Sequence, residues 1–505
     1  MQLIKASFNN FRCFKDYQIE FGKDTTVFIG KNGTGKSSVL SGIRRGLSFM
    51  FAKPNNFSRN LATSNNEAVK SFDNLEFNFD EVLKAYNTPL ETKFEGLFYN
   101  TPISWALLKK EMNKGLTTSE YSNALNLILS YFNANPLAPL PVLVLFADSF
   151  PHDLMNLGAM AKKIIQQDIL PRDFGYYGWI EKTNCIELWL SRYLRVREYS
   201  RDSRNLVEDT TKDIDQLDEQ IFFLEKRIDW KDDHDEHQIP DWAERIEELK
   251  ERRKELISKV ELMKNEKRSL IFKKEKDFIE SKIIEFTKPI SDEYNFINSD
   301  FEIYRLDFAK RDKNYELEFY FKDGRVIAFP TLPMGYKRIF SLLIDLAYRS
   351  YILNEDIESE GIVLIDEIEL HLHPTLQQEI LQRLRRTFPK IQFIVTTHSP
   401  LVISNFKADE QNKIVKLENE GTHYFNENVE NVFGLDYSTN LNEIMEVAPR
   451  SSTIDKYING FLFLYGKGKK GEAEKLLDQL KHYVGGIIPS LMQAEIDQKK
   501  KQYEN

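Results

Sequence analysis

Cysteine is nearly absent from this chain: Cys13 and Cys185 stand alone in 505 residues. Two thiols can build neither a disulfide framework nor a four-cysteine metal site. Also missing is any run of about eighteen apolar residues, the least that spans a bilayer. The opening stretch, MQLIKASFNNFRCF, has no apolar leader core and no small-residue cleavage site. A cytoplasmic chain with no membrane contact is the expectation. Positive charge is not in excess either. The net charge of −9 excludes a surface coated for nucleic acid, though not a local basic groove. Apolar residues at 41% and charged residues at 29% are ordinary for a globular protein.

What is present falls into segments with different periods. LIKASF, YQIEF and TVFIG read as strands, and a helix is expected from Lys36 to about Phe51. Residues 53–75 are polar and rich in Asn and Ser, a loop composition. SEYSNALNLILSYF reads as a helix, APLPVLVLFA as a buried strand, and helical character returns from Ile180 to Glu198. Between 205 and 276 the apolar residues fall at sevens, threes and fours: Val207, Ile214, Leu217, Ile221, Leu224, Ile228, then Trp242, Ile246, Leu249, Leu256, Val260, Met263, Leu270. That is a heptad seam on two helices, with Arg253 and Lys267 as weak points. A projecting antiparallel hairpin is expected, each arm reaching on the order of 40 Å; two helices lying flat on the body is the alternative. Strands return at FEIYRLDF, YELEFYF and RVIAFP, and the tail from about Ser451 reads as helical.

Three short stretches carry chemistry. Gly30-Lys31-Asn32-Gly33-Thr34-Gly35-Lys36-Ser37 fits G-x-x-x-x-G-K-S/T in full. Glycines there let backbone N–H groups turn toward a phosphate, and the following helix adds its positive end. Asn32, Gly33, Thr34, Gly35, Lys36, Ser37 and Ser38 are the candidate ATP contacts, with Lys36 on the β- and γ-phosphates and Ser37 on Mg²⁺. The apolar run IVLI ends in Asp366-Glu367, two carboxylates at the edge where parallel sheets bind ligands. Asp366 is the candidate metal ligand and Glu367 the group that orients or polarises attacking water. An acidic pair after a strand also serves as a helix cap; beside a phosphate loop the ligand reading prevails. TTHSP ends the next strand, so His398 is placed to donate to a γ-phosphate.

In this order, the phosphate loop, LPMGYKR, IVLIDE, HLHP and TTHSP resemble the ABC-type ATPases of the SMC, RecF and double-strand-break-repair group. The likeness is strong over residues 1–50 and 325–405. It implies an α/β ATPase head with an inserted helical hairpin and a helical tail. The segments expected are 1–200 and 286–430 for the two halves of the head, 201–285 for the hairpin and 431–505 for the tail. It further implies a homodimer in which Leu332 to Arg338 covers the γ-phosphate bound by the other subunit, with Gly335 as its glycine. Pro333 stands where that group has a serine, so slow hydrolysis is expected. Arg12 matches an arginine that reaches the nucleotide in such proteins, and Gln166 and Gln167 are candidates for the glutamine loop.

DEIELHLHPTLQQEIL with FPKIQFIVTTHSP looks most like the anti-phage ATPases, including those of the overcoming-lysogenization-defect kind, which often carry a Toprim nuclease. Here no Asp-x-Asp pair follows His398. In that architecture the chain most resembles the ATPases of the Septu and retron defence systems, whose partner, the resemblance implies, is an HNH nuclease. The implied function is an ATP-hydrolysing subunit that senses or gates and controls a separate nuclease, with nucleic acid or a retron reverse transcriptase and its msDNA as further partners. The alternative is an ATP-gated clamp on DNA in repair or chromosome maintenance; a transporter ATPase is the weakest, having no use for the hairpin. His234 and His237 among acids read as a solvated turn rather than a metal hook. RYLRVREYSRDSR reads equally as a nucleic-acid contact or a solvated face, and RLRRTFPK as the outer face of a helix.

Overall fold

A computed structural model describes residues 1–52, 72–146, 164–179, 186–200, 203–229, 239–263, 266–290, 301–311, 314–430, 432–434, 444–445 and 451–504. The tip histidines His234 and His237 and most of the Asn/Ser-rich loop lie outside them. The chain divides into two compact units, Met1–Asn431 and Val432–Asn505.

The first unit begins β1 (Gln2–Phe11), β2 (Phe14–Glu20), β3 (Thr25–Ile29), α1 (Lys36–Leu47), β4 (Phe79–Asp80), β5 (Ala85–Tyr86), β6 (Leu90–Phe98), β7 (Thr101–Lys109), α2 (Ser119–Ala134) and β8 (Val142–Phe146). The helices α3 (Ile186–Ser200), α4 (Ser203–Asp229), α5 (Ile239–Met263) and α6 (Glu266–Thr287) follow. Then come β9 (Ile303–Arg311), β10 (Asn314–Phe321), β11 (Val326–Ala328), α7 (Met334–Asn354), β12 (Gly361–Ile365), α8 (Pro374–Thr387), β13 (Ile391–Thr396), α9 (Pro400–Ser404), β14 (Asn412–Glu420) and β15 (His423–Asn428).

The central sheet has the order β15-β14-β3-β13-β12-β8. From β14 to β8 every neighbour is parallel; only β15 is antiparallel. A parallel sheet covered on both faces needs strands that are apolar throughout. TTVFI, GIVLI and IQFIVT are buried at every position, and each Val, Leu or Ile buried there contributes about 1.5–3 kcal/mol. An antiparallel sheet, β2-β1-β6-β7, lies beside it. The Gln392 side chain on β13 joins the two, donating to the carbonyls of Leu3 (2.8 Å) and Gly22 (2.7 Å) and accepting from Leu3 N–H (2.8 Å). The third sheet, β11-β10-β9, holds Phe319 against Phe340 of α7, ring centroids 4.5 Å apart.

Helices α4 and α5 pair through Leu217, Ile221, Ile246 and Leu249. They run antiparallel, since Asp218 meets Arg253 while Glu225 meets Lys250 (2.7 Å). Arg253 therefore sits on the flank of the seam with a carboxylate partner, rather than weakening it from inside. Leu270 belongs to α6, not to the second arm, and is exposed.

Arginines of both basic runs are spent inside the fold. Arg192 is fully buried, donating to both oxygens of Glu275 (2.8 and 2.7 Å) and to the carbonyl of Asp168 (2.9 Å). Arg195 pairs with Asp168 and Arg197 with Asp307. These arginines are neutralised from within rather than offered to nucleic acid. RLRRTFPK is likewise not an outer face: Arg383 is buried and donates to the carbonyls of Phe286 and Lys288 (2.7 Å each). Arg386 donates to the carbonyls of Glu285 (2.7 Å) and Pro289 (3.0 Å), so both arginines cap the last turn of α6.

The second unit packs α10 (Ser452–Gly466), α11 (Lys470–Tyr483) and α12 (Ser490–Glu504) around Ile458, Phe461, Leu462, Ala473, Leu480, Ile488 and Ile496.

Arg192→Ala should cost about 3–5 kcal/mol, because it strands the Glu275 carboxylate in the interior. Equilibrium urea unfolding measures this. Combining Arg192→Met with Glu275→Leu replaces the buried pair by apolar side chains and should recover most of the loss.

Candidate nucleotide-binding site

Strand β3 ends at Ile29 and the chain turns at once through the glycine loop into α1. Gly35 caps that helix in the left-handed region, with φ 96°. A Cβ there would also lie 2.6 Å from the Phe14 ring, so only glycine fits. No side chain caps the helix, which leaves its first N–H groups facing the loop. Asn32 and Gly33 are exposed at the apex, and Ser37, on the first turn of α1, is exposed as well. Thr34 is buried and donates to the Lys31 carbonyl (2.9 Å). Ser38 hydrogen-bonds the Cys13 thiol, whose pKa burial pushes up.

Lys36 folds back into the loop it serves. Its ammonium donates to the carbonyls of Gly30 (2.8 Å) and Lys31 (2.9 Å). Burial pulls its pKa down to about 8, against the pull of Asp366, Glu367 and Glu369. Three carboxylates from the neighbouring turn thus face the lysine.

That turn leaves β12 at Ile365. Thr396, at the end of β13, donates its hydroxyl to Asp366 Oδ1 (2.5 Å) and accepts the Glu367 N–H (2.8 Å). One hydroxyl thereby fixes both acids. Glu367 takes a positive φ of 47° and His371 one of 64°; backbone of this kind persists only when its surroundings hold it. The hold comes from α7. Arg338 is buried and donates to the carbonyls of Asp366 (2.9 Å) and Leu370 (3.0 Å). Gly335 packs so closely that a Cβ would stand 2.3 Å from the His371 carbonyl oxygen. Arg338 and Gly335 are therefore turned inward, braced on their own acidic turn. Pro333 and Met334, at the head of α7, are the exposed residues of this loop.

His398 follows β13 at the same edge. Its ring is held below the usual imidazole range by burial first and Lys36 second, with Glu369 and Asp366 pulling the other way. Its backbone N–H donates to Glu369 Oε1 (2.7 Å). Sequence reasoning gives Glu369 no role, although the spacing of DEIE puts a third acid within one turn. It likewise gives Thr396 none.

Arg12 lies in the two-residue turn between β1 and β2 and lines a cavity of about 930 Å³ with Cys13, Arg44, Arg45 and Tyr424. Its guanidinium stands 3.9 Å from Glu76. Gln166 accepts a hydrogen bond from Arg195 (3.2 Å) of α3, so its side chain is engaged there.

A phosphate loop, two fixed carboxylates and a histidine on one edge of a parallel sheet define a nucleotide hydrolase. The chain belongs to the AAA ATPase domain family, whose model matches residues 1–403, and it is an ATPase. It is 28% identical over 417 residues to the retron Vc95 probable ATPase of Vibrio cholerae serotype O1 biovar El Tor, covering 80% of this chain and 70% of that one. To the retron Ec83 probable ATPase of Escherichia coli it is 24% identical over 528 residues, spanning 100% of this chain and 88% of that one. A 132-residue stretch is 37% identical to the Septu protein PtuA of Bacillus mycoides (strain KBAB4), 26% of this chain and 18% of that one. Among solved structures, an SMC head domain from Pyrococcus furiosus aligns with a TM-score of 0.42 and 14% identity, over 85% of this chain and 96% of that one. Among the described residues no helix is long and apolar enough to cross a membrane.

Lys36→Ala removes the cation held by the loop's own carbonyls, and ATP affinity should fall about tenfold or more. Titration with a fluorescent ATP analogue measures it; unchanged affinity would remove the phosphate from this loop.

Proposed function

We propose that this ATPase is the nucleotide-driven switch of a two-component defence complex, in which a separate HNH-type nuclease does the damage. Similarity along the whole chain to a retron ATPase supports the setting. The observation that carries the division of labour is the second unit. It encloses its own core, yet leaves Phe463, Tyr483 and Ile487 exposed. Large apolar side chains on so small a body suit a contact. We assign them to the nuclease.

On this reading Lys36 meets the β- and γ-phosphates once it leaves the Gly30 and Lys31 carbonyls. Ser37 and Asp366 would hold Mg²⁺, which supplies charge neutralisation on the phosphates. The donors fit: both are hard oxygens, Ser37 is reachable from the loop, and Asp366 is oriented by Thr396. Glu367 orients the attacking water and accepts its proton, and neutral His398 donates to the γ-phosphate.

Two heads would sandwich two ATP molecules, each offering the exposed Pro333-Met334 turn to the nucleotide of the other. A two-fold contact satisfies that need twice. Proline brings neither hydroxyl nor N–H, so hydrolysis is slow; one missing transition-state hydrogen bond costs on the order of 10²-fold. Slow turnover suits a switch that must dwell in its ATP state. Nucleic acid and a retron reverse transcriptase with its msDNA remain candidate sources of the trigger. A DNA clamp gains nothing from Arg192, Arg195 and Arg197, which are paired with carboxylates of this chain.

Glu367→Gln should slow water attack and hold the ATP-bound dimer. Sedimentation with ATP at micromolar concentration should show it, and a monomer there would count against the sandwich.

Removing residues 451–505 should leave ATP binding intact and abolish capture of the nuclease encoded beside this chain. Equal capture by the truncated protein would move docking elsewhere. Degradation of nucleic acid by the full chain alone would overturn the two-component reading.

A further inference from the structure

Glu369 is the acid in this site that the assigned roles leave over. It belongs to the turn after β12, and its carboxylate reaches across to the segment after β13. Oε1 accepts the His398 backbone N–H at 2.7 Å. Oε2 is closed off from solvent and has no hydrogen-bond partner among the described residues. A carboxylate oxygen shielded from water without a partner is unfavourable, and a native structure keeps one only for a reason. Here the reason is visible in what surrounds it. Glu369 stabilises the charged forms of both Lys36 and His398, so its negative charge lies beside the two groups that would meet the terminal phosphate.

The segment it holds is tied on either side of His398: the Ser399 N–H donates to the Thr397 hydroxyl (3.0 Å), and the Ser399 hydroxyl accepts the Leu401 N–H (3.2 Å). Thr397 N–H donates to the Phe28 carbonyl (3.0 Å) and the Ser399 hydroxyl donates to Gln377 Oε1 (2.6 Å). Between them, the main-chain N–H of His398 is anchored by Glu369 alone among the described residues. A histidine that must donate to a phosphate needs its backbone fixed, since a displacement of about 1 Å costs on the order of 10²-fold in rate.

We propose that Glu369 is a positioning residue for ATP hydrolysis: it clamps the His398 segment to the acid-bearing turn and acts on the reaction through His398. This rests on the ATPase reading of the site. Unlike Asp366 and Glu367, Glu369 touches neither metal nor water in this role. Its loss should leave nucleotide binding nearly intact and strike turnover.

The test is a double-mutant cycle on the full-length protein, reading kcat and, separately, equilibrium ATP affinity. Glu369→Ala should lower kcat by about tenfold to a hundredfold, with ATP affinity within about twofold of wild type, which also certifies the folded head. Glu369→Gln keeps an acceptor for the His398 N–H and should fall between wild type and Ala. In a His398→Ala background, Glu369→Ala should cost less than about twofold more, because residues that act as a unit are not additive. Additive losses would overturn the proposal, as would an unchanged kcat in Glu369→Ala, a fall in affinity as large as the fall in kcat, or a Gln variant as damaged as Ala. Failure of the underlying reading looks different: wild-type turnover would then be no higher than that of Lys36→Ala.

Discussion

The site exists because one strand sits between two others in a fixed register. On β13, Val395 lies level with Val27 of β3 and with Ile365 of β12. The phosphate loop, the acidic turn and the histidine segment therefore leave the sheet at one height and on one edge. Because side chains alternate along a strand, a slip of one residue in β13 would send Thr396 to the opposite face. Both acids would then lose the hydroxyl that orients them. Close packing against both faces of the three buried strands resists the slip, because each side chain fits the space its own neighbours leave.

A second constraint concerns α7. Its first turn reaches outward with Pro333 and Met334 and inward with Gly335 and Arg338. Within one turn of the residues that would face a second subunit, Arg338 braces the backbone of Asp366. Any push on the outer side of that turn acts on a segment bonded directly to the acidic turn. Further along the same helix, Asp345 accepts from the Trp189 indole (2.5 Å) and Arg349 donates to Asp345 (2.6 Å). The helix is thus held at both ends, by the reaction edge and by the root of α3.

Legibility followed the physics of each segment. The phosphate loop, the IVLIDE strand and the TTHSP strand could be read because backbone conformation and full burial leave few residue choices there. Strands β6, β7, β14 and β15 went unread. LETKFEGLF alternates buried and more open residues with charges on the outward side, and NKIVKLENE ends in exposed polar residues, a composition that resembles loop. The arginines of α3 and α8 are illegible in the sequence for another reason. Charge is solvated by default, and nothing local tells that Glu275 or the end of α6 waits across the fold. The role of Glu369 is not legible in the sequence, because its partner is a main-chain N–H beyond a different strand, and a sequence cannot display contacts of that kind.

The second unit has a consequence for how such a protein changes over time. The family model ends at residue 403 and the separate unit begins at Val432. Phe463 and Tyr483 lie in the second unit, and the residues of the nucleotide edge lie in the first. On the proposed docking role of this unit, partner choice can drift, or be replaced wholesale by recombination, while the ATP machinery stays under its own selection. On that proposal such a chain inherits its engine and its allegiance separately.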